Sequence, residues 1–163
     1  MFSFDINHSS KPALYADLLA AADAVTSGEH DAIANMANVA ALIWEFVPDL
    51  NWAGFYRMVD GELVLGPFQG KPACVRIAVG KGVCGTAVAT GDIQLVRDVH
   101  EFPGHIACDA ASNSEIVLPV RHAGQIIAVL DIDSPSLARF DQADAAGLAR
   151  IVQVFEQRLE QTQ

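Results

Sequence analysis

Three thiols are the first candidates for chemistry. Cys74, Cys84 and Cys108 are separated by nine and 23 residues. An odd count does not make a fully paired disulfide framework. In a reducing compartment such cysteines are buried hydrophobes, metal ligands or redox groups. Zinc sites usually contain a C-x2-4-C knuckle, and this chain has none. His105 and Cys108 give a two-ligand fragment with poorly spaced partners, so no metal is expected. Cys74 closes the Gly/Pro-rich stretch GPFQGKPAC, and Cys108 lies in a long irregular segment. Mobile loops are where a nucleophile and a resolving thiol can meet and part. Cys84, inside GVCGTAV, reads as structural. Read on their own, these residues leave two options: a redox pair, or three reduced, buried thiols.

Carboxylates form a second group. Side chains in a strand alternate faces, so in QIIAVLDID the residues Ile127, Val129, Asp131 and Asp133 share one face. Asp131 and Asp133 then stand roughly 7 Å apart along the strand. One reading is a solvated strand end; the other is the border of a pocket over the sheet. Glu115 opens the preceding strand. A hairpin closed at 122–124 brings it roughly opposite 131–133. Crowded, partly desolvated carboxylates raise one another's pKa, and one can hold a proton near neutral pH. Together they would seat a ligand ammonium group. In NWAGFY, Trp52, Gly54 and Tyr56 share a face. The small residue between two aromatics predicts an open slot, either under a helix or against a small ligand. His100, His105 and His122 are candidate acid-base groups. His105 precedes Cys108 by three residues and could favour its thiolate.

The elements that must position these groups follow from periodicity. Lys11 to Val25 and about Glu29 to Val47 read as amphipathic helices. The second carries Ile33, Met36, Ala37, Ala40, Ile43, Trp44 and Val47 as a stripe that can cover a sheet. Trp52–Val59 and Glu62–Phe68 flank Asp60-Gly61, a hairpin signal. Val75–Val79 and Ile93–Val96 are further strands around a short helix, Val83–Ala89. Residues 97–114 show no apolar period, and such a segment inside a compact domain is more often functional than idle. Glu115–Arg121 and Gln125–Asp133 form a last hairpin. Asp141 is the predicted N-cap of a long helix carrying Leu148, Ile151, Val152, Phe155 and Leu159. Two helices, six strands with one embedded helix, and a final helix predict an α+β fold with an antiparallel sheet.

The whole chain bounds the function. At 163 residues it is expected to form one domain over 1–163, its core about 10–160. Lys and Arg total 10 against 20 Asp and Glu, a net charge of -10. Such a surface repels nucleic acid and anionic membrane. No signal peptide or spanning segment is visible, so the expected compartment is the cytoplasm.

NWAGFY, GPFQGKPAC, GKGVCG, DVHEFPGHIACD, SEIVLPV and LDIDSP, in that order, resemble the free methionine-(R)-sulfoxide reductases, a GAF-domain enzyme family. The resemblance covers about residues 10 to 160, with the three cysteines at matching intervals. It implies a GAF-like fold, a six-stranded antiparallel sheet backed by N- and C-terminal helices. It implies Cys108 as nucleophile, Cys74 as principal resolving thiol and Cys84 as a third cysteine of secondary role. Trp52 and Tyr56 match the aromatics lining the substrate cavity. Glu115, Asp131 and Asp133 match the acidic residues that hold the substrate's amino group and engage the sulfoxide. It further implies thioredoxin as reductant, a homodimer, and no metal or organic cofactor. The alternatives are a sensory GAF domain that binds a small ligand, or a passive partner-binding module.

Overall fold

A computed structural model describes residues 1–160. Helix α1 (Lys11–Thr26) starts at Ser10, whose side chain accepts from the Ala13 N–H, and has a proline in its first turn. Helix α2 (Ala32–Phe46) starts one turn later than its apolar period suggests. The reason is local. Asp31 caps Ala34 N–H at 2.8 Å, while the Glu29 carboxylate accepts from the N–H groups of His30 and Asp31, both at 2.7 Å. Glu29 thus organises the loop rather than the helix.

Six strands follow: β1 (Trp52–Val59), β2 (Glu62–Gly70), β3 (Arg76–Ile77), β4 (Gln94–Val96), β5 (Ser114–His122) and β6 (Gln125–Ser134). They make one antiparallel sheet in the order β3-β2-β1-β6-β5-β4. Both expected hairpins close through two-residue turns. Asp60 and Gly61 have φ of 51° and 86°, Ala123 and Gly124 of 50° and 77°, the left-handed pair that matches strand twist. β3 is shorter than Val75–Val79, since only Arg76 and Ile77 pair with β2; Val75 and Val79 are exposed.

The two faces of the sheet serve different purposes. One packs Ala53, Phe55, Ile116, Leu118, Leu130 and Ile132 against α1, α2 and α4 (Gln142–Glu160). That three-helix layer holds the main core. The expected stripe of α2 is partly displaced: Met36, Ala40, Ile43 and Val47 are buried, whereas Ile33, Ala37 and Trp44 face outward. Asp141 begins α4 as expected, accepting from Ala143 N–H at 2.9 Å and Asp144 N–H at 3.2 Å. Asp144 ties α4 to α1, taking bonds from Tyr15 Oη at 2.8 Å and Lys11 Nζ at 2.6 Å. The opposite face carries Trp52, Tyr56, Val117 and Val129, under helix α3 (Gly82–Thr90). Among the described residues, no helix is long and apolar enough to cross a membrane.

Candidate active site

Register brings the carboxylates together. Glu115 lies opposite Asp133, Val117 opposite Asp131. On the other side of β6, Trp52 pairs with Asp133 and Gly54 with Asp131. Residues paired across strands point to the same face. Glu115, Asp131, Asp133, Trp52 and Tyr56 therefore all rise from the face opposite the main core. The hairpin closed at Ala123-Gly124 sets this register, as the sequence suggested.

Trp52 and Tyr56 stack with ring centroids 5.7 Å apart. Both are buried, and each is anchored by its polar end. Trp52 Nε1–H donates to the Lys71 carbonyl at 3.1 Å, and Tyr56 O–H donates to the Cys74 carbonyl at 2.9 Å. The aromatic wall thus holds the loop that carries Cys74. The expected open slot over Gly54 is filled instead. Phe68, opposite Gly54 on β2, stacks on Trp52 at 5.2 Å. A Cβ on Gly54 would lie 2.3 Å from the Phe68 Cβ, so glycine here makes room for a third ring.

Cys74 and Cys108 form a disulfide, with Cα atoms 5.5 Å apart. It joins the loop after β2 to the irregular segment between β4 and β5. Cys84, on α3, is a free and buried thiol. Burial pushes its pKa well up, helped by the charges of Asp131, Glu115 and Asp133. It stays protonated, in keeping with a structural reading of that residue.

Trp52, Tyr56, Cys84, Cys108, Glu115, Asp131 and Asp133 line one pocket. Its walls include Pro72, Ile77, Val83 and Ile106, with Lys81 at the side. The floor is acidic. Burial raises Glu115 and Asp133 well above the usual carboxylate range, and the Asp131 charge adds to both. Asp131 is raised less, to about 6: burial lifts it, but hydrogen bonds with Glu115 and Cys84 hold it down. At neutral pH the coupled cluster is held toward the neutral acid, so its carboxyls do not all ionise together. Asp131 Oδ1 is buried without a hydrogen-bond partner.

His105 also lines the pocket, with Nε2 3.9 Å from Glu115 Oε2. Its pKa is lowered, first by burial and then by His100. At neutral pH it is uncharged, so it does not supply the cation expected to favour a Cys108 thiolate. His100 bonds Asn113 at 3.0 Å, and His122 sits exposed at the hairpin end, away from the pocket.

Sequence reasoning missed Asn51, Ser112 and Asp109. Asn51 Nδ2 donates to Ser112 Oγ at 2.9 Å and to Asp109 Oδ2 at 3.2 Å. Asn113 N–H donates to the Ser134 carbonyl at 2.8 Å. Together these bonds staple the end of the Cys108 loop to the sheet. The signal was present in part: Asp109 and Ser112 fall inside the segment that had no period, and Asn51 opens NWAGFY.

Comparison with known proteins agrees with this geometry. The GAF domain family matches residues 29–160. A free methionine-R-sulfoxide reductase of Escherichia coli (strain K12) is 56% identical over 153 residues, 94% of this chain and 93% of that protein. One from Saccharomyces cerevisiae is 40% identical over 161 residues, 92% of this chain and 89% of that protein. The X-ray structure of the Neisseria meningitidis free methionine-R-sulfoxide reductase, in complex with its substrate, superposes with a TM-score of 0.95 at 44% identity. It covers 98% of this chain and 96% of that one. With a GAF-like fold, a Cys74–Cys108 disulfide and relatives of this similarity along nearly its full length, the chain belongs to the free methionine-R-sulfoxide reductase family.

Proposed function

We propose that this protein reduces the R epimer of free methionine sulfoxide to methionine, with Cys108 as nucleophile. The observation that carries the reading is the Cys74–Cys108 disulfide, whose Cys108 lines a pocket together with the carboxylates of Glu115, Asp131 and Asp133. The Cys108 sulfur attacks the sulfoxide sulfur. A neutral carboxylic acid, Glu115 or Asp133, protonates the departing oxygen. The protonated oxygen moves to the Cys108 sulfur as the bonds joining the substrate sulfur to oxygen and to Cys108 break, so methionine, reduced by two electrons, leaves and Cys108 becomes a sulfenic acid. The Cys74 thiol then condenses with it, releasing water and forming the disulfide. Exchange with an external dithiol returns both thiols.

The remaining roles follow from placement. Asp131, with one unpartnered oxygen, seats the substrate ammonium. Trp52 and Tyr56 wall the methyl-sulfur end. Cys84, behind the carboxylates, is a reserve thiol at most. The reductant is thioredoxin, the chain works as a homodimer, and the cytoplasm keeps its thiols reduced. The resemblance suggests thioredoxin and the homodimer, and the partly exposed disulfide is accessible to a protein dithiol. The deciding assay presents separated R and S epimers of free methionine sulfoxide with thioredoxin and its reductase. Methionine should form from the R epimer alone. No methionine from either epimer would end this reading in favour of a ligand-binding module.

A further inference from the structure

We propose that the reduced, substrate-free pocket is a divalent transition-metal site, built from Cys84 Sγ, Glu115 and Asp131, that takes Zn2+. One donor atom from each of these three side chains lies within 4.8 Å of the other two. All three residues are buried. Zinc holds thiolate sulfur at about 2.3 Å and carboxylate oxygen at about 2.0–2.2 Å, so tetrahedral donors stand roughly 3.3–3.8 Å apart. Donors at the 4.8 Å limit must close by about 1–1.5 Å. The linear sequence conceals the site because its donors come from α3, β5 and β6 rather than from a knuckle.

A second observation points to a cation at the cluster. Asp131 Oδ1 is buried and has no hydrogen-bond partner. Asp131 is also one of the residues lining the pocket. A buried polar oxygen left without a partner costs stability, and a bound cation removes that cost. An ammonium group would satisfy it with one charge. A zinc ion would satisfy it with two, and would also engage the thiol that the reaction described above does not need.

The donor chemistry selects the ion. A thiolate with two carboxylates suits Zn2+ and Co2+ and disfavours Mg2+ and Ca2+, which take oxygen donors only. On binding, the Cys84 S–H bond breaks, the proton leaves to solvent, and the sulfur lone pair forms the metal bond. Any proton on Glu115 leaves in the same way. Three protein donors leave a fourth position for water. The ion occupies the place assigned above to the substrate ammonium, so it blocks substrate; that consequence rests on the proposed function, whereas the metal site does not.

The experiment uses the full chain with Cys74→Ser and Cys108→Ser together. This variant forms no Cys74–Cys108 disulfide, and of the three cysteines it keeps Cys84 alone. Co2+ titration should give a near-ultraviolet thiolate-to-cobalt absorption that saturates at one ion per chain and is bleached by Zn2+ but not by Mg2+. Glu115→Gln and Asp131→Asn should each weaken binding by at least about 100-fold, since even changes beyond the direct ligands cost about 10–100-fold. No saturable thiolate absorption in the double variant overturns the site, because no other thiol is present to give it. Absorption unchanged by both Glu115→Gln and Asp131→Asn overturns it equally. Excess free methionine-(R)-sulfoxide should also displace cobalt. A band that saturates normally but resists the sulfoxide would refute the ammonium seat and the block, not the metal site, so the two readings fail separately.

Discussion

The proposed function gives Cys108 and Cys74 different work, and single substitutions separate them. Cys108→Ser should lower methionine production by at least about a thousandfold, the scale on which loss of a nucleophile acts. Cys74→Ser should still yield about one equivalent of methionine in a rapid first turnover, then slow at least about tenfold because the sulfenic acid lacks its partner. Quenched-flow measurement of methionine distinguishes the two. Asp131 offers a test by pH. Its pKa stands at about 6 in the folded chain against an ordinary 3.8, with burial the main cause. A group with a raised folded pKa binds its proton more tightly in the native state. Its stabilising contribution is complete below the ordinary value and is lost as pH rises through the folded one. Glu115 and Asp133 act in the same direction. Asp141 acts oppositely: its hydrogen bond with Lys11 holds it at about 2, so its contribution is lost only in strong acid. Comparing variants isolates Asp131. At pH 7, Asp131→Asn should stabilise the protein by about 1–3 kcal/mol, raising Tm by roughly 2–4 °C for each kcal/mol, while kcat/KM falls. The gain should shrink toward pH 4. A Tm difference independent of pH would show that Asp131 is not held above its ordinary range.

Elements carry these residues to one place, and their packing is tested far from the chemistry. Gly147 on α4 crosses Tyr15 on α1 so closely that a Cβ would lie 2.2 Å from the Tyr15 Cγ. The obstruction is the root of the ring, so rotation of its tip gives no relief. Gly147→Ala should force the helices apart and strain the Tyr15–Asp144 bond, costing about 2 kcal/mol or more. Tm should drop by roughly 4–8 °C, with kcat/KM at 20 °C within about twofold of the parent. A large loss of kcat/KM in still-folded protein would show that the helix layer reaches the site. The sheet was legible because strand alternation and two-residue turns are local signals. The same turn chemistry predicts Glu115 roughly opposite 131–133, and its partner is Asp133. The outward face of α2 was not legible, since Ile33 and Trp44 obey the helical period whether or not a partner element covers them. Phe68 over Gly54 was not legible either. It depends on a register shift between β1 and β2 after Gly54, and a bulge leaves little trace in a residue pattern. The Asn51–Ser112 bond joins residues 61 apart, a distance at which local pattern carries no information.

At the scale of the molecule, one face of the sheet is given to stability and the other to selection. The helix layer closes the first completely. The second is covered by α3 and the Cys108 loop, with the carboxylates of Glu115, Asp131 and Asp133 in the pocket between them. The proposed substrate is a free amino acid, whose ammonium can reach these carboxylates. A methionine sulfoxide within a polypeptide differs in two ways. Its nitrogen is a neutral amide, so Asp131 would stay desolvated without a cationic partner. Its flanking chain also needs an exit past α3 and the Cys108 loop. N-acetylation separates these effects, because it removes the ammonium but adds only a small group. A loss of about 3 kcal/mol in transition-state binding lowers kcat/KM by more than a hundredfold. N-acetyl methionine-(R)-sulfoxide should therefore react at least about a hundredfold more slowly than the free amino acid, and a peptide-embedded sulfoxide more slowly still. The Asp131→Asn variant should lose most of this preference by losing activity on the free substrate, not by gaining it on the acetylated one. The measurement is kcat/KM for the three R sulfoxides under one reductant. Equal values would mean that the acidic floor does not read the ammonium, and that the pocket selects by the sulfoxide alone.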